Sequence, residues 1–191
     1  YDPANDVKFL EVELDMWYAG ILRKGWEKFS RTVIQEKKEI HLALAAQLSG
    51  LHVTPDMVKY AIEELKLNKE KPIQWTEEEL KNLAIILRKK TKPMVIACNK
   101  IDVPGAFENV QRLQRQFPNY EFIPCSGEGE LALKEAAKNG LIEYIPGEKE
   151  LVILALEKLN ARQQQALQFI TERILDRFGS TGVQQILDMV I

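Results

Sequence analysis

The feature that most constrains the fold is an alternation of short apolar runs with helical segments in the second half of the chain. Residues 94–98 form an unbroken apolar run, as is typical of a parallel strand buried on both faces. Residues 107–117 then show helical periodicity, 120–124 a second strand and 130–138 a further helix. This alternation indicates a doubly wound α/β layer. Because two parallel strands do not make an independent sheet, we expect further strands outside this sequence.

The first part of the chain carries helical periodicity instead. Residues 6–22 place apolar side chains at three- and four-residue steps, and residues 26–48 do so at mostly heptad-like spacing. Gly25 separates the two segments. We therefore predict an antiparallel, coiled-coil-like helical hairpin. We expect its core to contain four aromatic residues: Trp17, Tyr18, Trp26 and Phe29.

Local signals place a third helix and a domain boundary. Thr54 is a helix cap and Pro55 suits a first helical turn. Residues 66–75 are polar and interrupted by proline, which indicates a linker. We accordingly predict a helical insert over residues 1–70 and an α/β part over residues 71–191.

The remainder of the sequence predicts a connector followed by helices. We predict a connector over residues 142–151 and a long helix over residues 160–178. Gly179 is placed to end that helix, and Ser180 or Thr181 to cap the last one.

Composition excludes several classes of protein. With 46% apolar and 28% charged residues, the sequence is typical of a globular domain rather than a disordered one. A net charge of −2 means that nucleic-acid binding must rest on a local patch. Two cysteines fit a reducing, cytoplasmic setting. No apolar run approaches the roughly 20 residues of a membrane span, so we expect no membrane partner.

Polar residues with a defined chemistry follow the first strand: Asn99, Lys100 and Asp102. The carboxyl ends of strands are where doubly wound sheets bind ligands. A carboxylate at 102 is able to accept hydrogen bonds from an N–H and an adjacent amino group, a pair that guanine presents on one edge. The stem of Lys100 is able to cover the base. The alternative is a surface turn in which Asn and Asp are simply favoured.

A second polar turn follows the second strand, at Ser126 and Gly127. Its backbone N–H groups are suited to a guanine carbonyl oxygen, and the Ser126 hydroxyl to bracing the loop. Alternatively, Ser126 only caps the next helix, with Glu128 and Glu130 favouring its N-terminus. By itself this turn favours the capping interpretation; beside Asn99 and Asp102 it favours nucleotide binding.

Together these elements resemble the guanine-specificity elements of P-loop GTPases. The segments YDPANDVKFLEVELDMWYAGILRKGWEKF, KPMVIACNKID, IPCSGEGELALKEAAKNGLIEYIPG and LDRFGSTGVQ resemble the archaeal-type branch of the YchF family of Obg-related GTPases. The resemblance covers essentially the whole chain, although Ser-Gly stands at 126–127 where Ser-Ala is usual.

The resemblance implies an α/β fold, the C-terminal half of a three-layer, mostly parallel P-loop GTPase domain with a coiled-coil-like insert. It implies GTP or GDP bound through Asn99, Lys100, Asp102, Ser126 and Gly127, and a link to ribosomes or translation. The sequence contains no Gly-x-x-x-x-Gly-Lys-Ser/Thr phosphate loop. We therefore expect no catalytic residue here, with phosphate and Mg²⁺ binding in a missing N-terminal half and a TGS domain beyond the C-terminus.

A modest basic stretch is the main alternative signal. Between residues 23 and 38 the cations are Arg23, Lys24, Lys28, Arg31, Lys37 and Lys38, set against Glu27 and Glu36. The candidate RNA contacts among them are Arg23, Lys24, Lys28 and Arg31. Such a stretch is most simply a solvated helix face, but it also suits RNA phosphates. The second hypothesis is therefore a non-catalytic helical module that docks on a ribosome, RNA or a protein. His41 and His52 have no ligand partners in the sequence pattern, so we predict no metal site.

Overall fold

The structure, a computed structural model, describes residues 2–191 and divides into two compact units. The first unit ends at Pro93 and the second begins at Met94. Each unit has its own hydrophobic cluster. No helix within residues 2–191 combines the length and the apolar character that crossing a bilayer requires.

The first unit is helical. In its described residues the α-helices are α1 (Ala4–Arg23), α2 (Trp26–Gln35), α3 (Ile40–Gln47), α4 (Pro55–Glu64) and α5 (Glu77–Thr91). The Thr54 hydroxyl accepts from the Met57 N–H, as predicted from the sequence, and Thr76 and Glu79 form a capping box at the start of α5.

The predicted coiled-coil-like hairpin is not observed. The segment 26–48 breaks between α2 and α3, where Lys37 has a φ of +52°. The reason is the polar run from Gln35 to Glu39, which cannot extend an apolar helical face. Helix α1 packs on α5 instead.

A buried ion pair fixes α1 against α5. The Arg88 guanidinium, 1% exposed, lies 2.7 Å from the Asp15 carboxylate, and Glu11 is 3.9 Å away. The Tyr18 hydroxyl lies 3.0 Å from the hydroxyl of Thr91 at the end of α5. Because a buried guanidinium without a partner is strongly unfavourable, this pair specifies which helix covers α1.

The residues predicted as a linker are packed into the first unit. Trp75 is buried and stacks on Trp26, with ring centroids 5.3 Å apart. The Trp26 indole N–H donates to the Pro72 carbonyl, and that of Trp75 donates to the Asn68 carbonyl. The contacts therefore divide at Pro93 rather than near residue 70. Trp17, expected in the core, is 52% exposed.

The second unit alternates helices and strands as expected. Its elements are β1 (Val95–Cys98), α6 (Ala106–Gln116), β2 (Glu121–Pro124), α7 (Gly127–Lys138), β3 (Ile142–Tyr144), β4 (Leu151–Ile153), α8 (Ala161–Ile170), α9 (Asp176–Phe178) and α10 (Val183–Val190). A π-helical turn, Thr171–Leu175, joins α8 to α9, so that the predicted long helix runs on with a local change of period.

Strands β1 and β2 are parallel, and Cys98 lies opposite Pro124. Phe122 and Ile123 of β2 are buried, whereas β1 is only half-buried and its Ala97 is exposed. The prediction of a fully buried first strand is thus wrong for this structure. Within residues 2–191 the only strand paired with β1 is β2, so no strand of the described chain is hydrogen-bonded to its other edge.

The predicted connector over residues 142–151 contains an antiparallel pair instead. Ile142 of β3 lies opposite Ile153 of β4, and Tyr144 opposite Leu151. Ile142 and Tyr144 are buried while Glu143 between them is exposed, which is the alternation of a strand with one covered face.

Two glycines mark the end of α9 and the start of α10. Gly179 ends α9 in the left-handed conformation, as predicted. The predicted cap of α10 by Ser180 or Thr181 is wrong, because left-handed Gly182 occupies the N-cap position without a side-chain cap. A Cβ added to Gly182 would lie 2.1 Å from the Pro124 carbonyl oxygen, so this turn lies directly against the end of β2.

We predict that Gly182→Ala destabilises the second unit more than Gly179→Ala does. Both glycines have a positive φ, +75° and +80°, but a Cβ at 179 has no atom within 4 Å. The control substitution should therefore cost about 1–2 kcal/mol from backbone strain alone, and Gly182→Ala should cost more because the backbone of Pro124 must also move. Urea unfolding of both variants measures the difference, and equal losses would contradict the close approach.

Candidate nucleotide-binding site

The candidate site lies where β1 and β2 end. Because the strands are parallel, their carboxyl ends meet at one edge, and the turns that follow are adjacent. The Cys125 N–H donates to the Cys98 carbonyl at 3.0 Å, and the Ile101 N–H donates to the Cys125 carbonyl at 3.1 Å. These backbone bonds extend the strand pairing into both turns.

The Asn99 side chain joins the two turns. Its Oδ1 accepts the N–H of Lys100 at 2.8 Å and the N–H of Gly127 at 3.0 Å. Lys100 itself is exposed and takes the left-handed conformation, with a φ of +64°. The preference of asparagine for turns explains the local contact with Lys100. It does not explain the contact with Gly127, which lies 28 residues further along the chain.

Ser126 and Asp102 make a second link between the turns. The Ser126 hydroxyl, 3.4 Å from Asp102 Oδ1, donates to that carboxylate, and its oxygen accepts the Gly129 N–H at 3.2 Å. Ser126 is thus the N-cap of α7 and a partner of Asp102 at the same time. Asp102 is half-buried, so part of this residue remains exposed to solvent.

The five residues predicted from the sequence are therefore neighbours: Asn99, Lys100, Asp102, Ser126 and Gly127. An added Cβ at Gly127 would come no closer than 3.6 Å to Asn99 Oδ1, which is ordinary contact. The space at 127 accordingly fits alanine, the residue usual in the resembled family. Their role in binding a base stays a prediction.

The burial of the Glu130 carboxylate next to the second turn was not predicted from the sequence. Glu130 is 4% exposed, and its Oε2 accepts the hydroxyls of Tyr144 at 2.7 Å and Thr181 at 2.6 Å. Lys134 Nζ lies 3.2 Å from Oε1. Only the i,i+4 spacing of Glu130 and Lys134 is visible in the sequence. Tyr144 and Thr181 are 14 and 51 residues away from Glu130, too far for a local signal.

The surroundings of Glu130 favour an ionised carboxylate and a neutral Tyr144 hydroxyl. Burial would raise the pKa of the Glu130 carboxyl, but hydrogen bonds from Thr181, Tyr144 and Lys134 outweigh it and hold the pKa below its ordinary value. Burial, together with the hydrogen bond to Glu130, raises the pKa of Tyr144 to about 12. At neutral pH the arrangement is a carboxylate that accepts from two neutral hydroxyls.

The cysteines at the strand ends are thiols. Burial, with a smaller contribution from neighbouring Cys125, raises the pKa of Cys98 to about 11. Burial raises the pKa of Cys125 as well. Because the thiolate is the nucleophilic form, neither side chain is activated at neutral pH.

The predicted RNA-contact residues lie in the first unit, around the turn between α1 and α2. Arg23 Nε is 2.6 Å from a Glu77 carboxylate oxygen, and Arg31 forms an i,i+4 ion pair with Glu27. Lys24 and Lys28 are exposed. Two of the four cations therefore already have a carboxylate partner.

We predict that Glu130 contributes stability that depends on pH. Its pKa in the folded chain lies below the ordinary 4.5, so the carboxylate stabilises the fold above that value, and the contribution disappears as pH falls through the folded pKa. The free energy of unfolding of wild type should exceed that of Glu130→Gln by about 1–3 kcal/mol near neutral pH.

Urea unfolding of both proteins between about pH 7 and pH 3 measures this difference, which should narrow below 4.5. Glu128→Gln, which removes an exposed carboxylate from the same helical turn, is the control. A difference that widens on acidification would contradict the assigned sign.

Comparisons with known proteins give the site a context. Residues 97–191 match the family model described as "Obg-like GTPase YGR210-like, G4 motif-containing domain". The match begins at Ala97 and so includes all five predicted site residues.

An uncharacterized GTP-binding protein of Methanocaldococcus jannaschii is 45% identical over all of this chain and 49% of its own length. One of Schizosaccharomyces pombe is 28% identical over 98% of this chain and 47% of its own length. The chain thus spans about half the length of these relatives.

A crystal structure of a GTP binding protein from Pyrococcus horikoshii is also similar. It aligns with 100% of this chain and 50% of its own, at a TM-score of 0.78 and 40% identity. These comparisons show that the chain is similar to Obg-like GTPases and to GTP-binding proteins, while the narrower assignment to YchF stays a prediction.

Proposed function

We propose that this chain carries the guanine-recognition part of an Obg-like GTP-binding protein, with the base held by Asn99, Lys100, Asp102, Ser126 and Gly127. One observation carries the proposal: Asn99 and Asp102 of the first turn are each hydrogen-bonded to the second turn, at Gly127 and Ser126. The similarity to GTP-binding proteins supports the nucleotide.

Each group then has a chemical task. The Asp102 carboxylate accepts the ring N–H and the exocyclic amino group of guanine. The turn at Gly127 supplies backbone N–H groups near the base carbonyl, and the Lys100 stem covers the ring. An adenine in this pocket would leave the carboxylate without donors, and a polar site left unpaired disfavours the wrong ligand strongly.

The phosphate chemistry belongs to the longer protein in this proposal. GTP hydrolysis needs a phosphate loop and Mg²⁺, and we assign both to residues outside this sequence. The apolar β1 is half-buried and pairs with one strand within residues 2–191, which supports further strands beside it, as in a mostly parallel sheet. Residues 94–191 would then belong to the second half of a nucleotide-binding domain of the YchF type, acting in the cytoplasm.

We further propose a role in translation. It rests on the resemblance to YchF proteins and on the exposed Lys24 and Lys28 at the α1–α2 turn. The ion pairs of Arg23 and Arg31 favour a solvated helix face over a phosphate-binding surface. The second candidate function is that of a non-catalytic docking module formed by the helical unit.

The substitution Asp102→Asn tests the proposal. The amide replaces one acceptor of the carboxylate by a donor, so it should disfavour guanine and favour xanthine, which carries a carbonyl in place of the amino group. We expect the ratio of GDP to XDP affinity to fall about 10- to 100-fold, since hydrogen bonds to charged groups contribute about 1.5–3 kcal/mol.

Competition between GDP and XDP, followed by NMR on the 191-residue chain, gives this ratio. Asp188→Asn, on the exposed face of α10, is the matched control and should leave the ratio as in wild type. A variant Asp102→Asn with an unchanged ratio would remove Asp102 from the base site.

A further inference from the structure

A turn far along the chain lies against the candidate base site. The turn consists of residues 180–182, between α9 and α10. The Thr181 carbonyl accepts the Ser126 N–H at 2.9 Å. Gly182 follows, so close to the end of β2 that a side chain has no room beside the Pro124 carbonyl.

Thr181 also binds the buried carboxylate behind this site. It is fully buried, and its hydroxyl donates to Glu130 Oε2 at 2.6 Å. Tyr144 of β3 donates to the same oxygen at 2.7 Å. Glu130 lies in the first turn of α7, four residues after Ser126, and its N–H donates to the Ser126 carbonyl.

Ser126 is therefore held from two directions by one residue. Thr181 contacts its N–H directly and fixes the first turn of α7 through Glu130. Ser126 in turn donates to Asp102, and the next residue, Gly127, donates to Asn99. The path from Thr181 to the two residues proposed to read the base contains only hydrogen bonds and one helical turn.

Resting on the proposed function, we infer that Thr181 is a positioning residue for guanine recognition, acting on the Ser126–Gly127 turn both directly and through Glu130. Thr181 itself does not contact the base. Its effect is to hold Ser126 where its hydroxyl meets Asp102 and where the Gly127 N–H faces Asn99. Loss of the hydroxyl should then weaken the preference for guanine rather than the binding of nucleotides in general.

The groups around Glu130 make this a stiff support. The charges and titratable groups that face it are Lys134 on its own helix and Tyr144 on β3, and Thr181 completes the set with a neutral hydroxyl. A buried carboxylate that loses one donor keeps the cost of its desolvation, so its helical turn is expected to shift toward other partners. Tyr144 is the second donor and offers an independent perturbation.

The test uses the ¹⁵N-labelled 191-residue chain with GDP and ADP as probes. Thr181→Val keeps the shape of the side chain and removes the donor, and Thr181→Ser restores it. Thr171→Val is the matched control, because the Thr171 hydroxyl is bonded only to the Leu167 carbonyl of its own helix. The readouts are the ratio of GDP to ADP affinity and the hydrogen exchange of the Ser126 amide.

We expect Thr181→Val to lower the GDP to ADP ratio about three- to tenfold, the usual effect of one lost hydrogen bond. The Ser126 amide should exchange faster in the same variant. Thr181→Ser and Thr171→Val should retain the wild-type ratio and exchange. Should Thr181→Val not fold, Tyr144→Phe removes the other hydroxyl donor to Glu130 Oε2 and should lower the ratio by a smaller factor, and an unchanged ratio in that variant would overturn the link through Glu130.

An unchanged ratio in a folded Thr181→Val, together with normal exchange at Ser126, would overturn the positioning role while leaving the proposed function intact. The failure of the proposed function looks different, because the wild-type chain itself would then show no preference for GDP over ADP. A ratio that falls equally in Thr171→Val would also contradict the inference, since the effect would then be one of general stability.

Discussion

The parallel pairing of β1 with β2 is the interaction on which the candidate site depends. Its register places Cys98 opposite Pro124, and therefore brings together turns that are more than twenty residues apart in the chain. Side-chain bonds complete what the backbone begins, because Asn99 and Ser126 each reach across to the other turn. A slip of one residue in this register would turn the side chains of one strand to the opposite face and separate these pairs.

The support beneath the turns is electrostatic. Glu130 is buried and charged, and such a group is stable only where several donors surround it. Those donors come from α7, from β3 and from the turn before α10, so one carboxylate ties three parts of the second unit together. In the first unit, Arg88 has the corresponding place between α1 and α5. Each unit thus has a buried charge whose partners lie far apart in the sequence.

The difference between local signals and contacts of distant residues explains how much could be predicted from the sequence. The cap at Thr54 and the stop at Gly179 were predicted, because each depends on a few consecutive residues. The helix–strand alternation of the second unit was predicted for the same reason. The five residues of the candidate site were identified because a strand end followed by such polar residues has a specific chemistry.

Several contacts between residues distant in the sequence were predicted wrongly or not at all. Periodicity showed that α1 has an apolar face, but not that Arg88, 73 residues from Asp15, would bring α5 against it. Threonine is a common helix cap. Only the fold shows that the Thr181 hydroxyl binds Glu130 instead. The short β3–β4 pair was missed because three-residue strands carry too little alternation to recognise.

The central claim, that these two turns form a guanine pocket, is tested most directly by mapping where a guanine nucleotide acts on the chain. Titration of the ¹⁵N-labelled protein with GDP should shift the backbone amides of Lys100 and Gly127 and the side-chain amide of Asn99 more than any other signals, and ADP should leave them nearly unchanged. Shifts concentrated elsewhere, or the same shifts with both nucleotides, would contradict it.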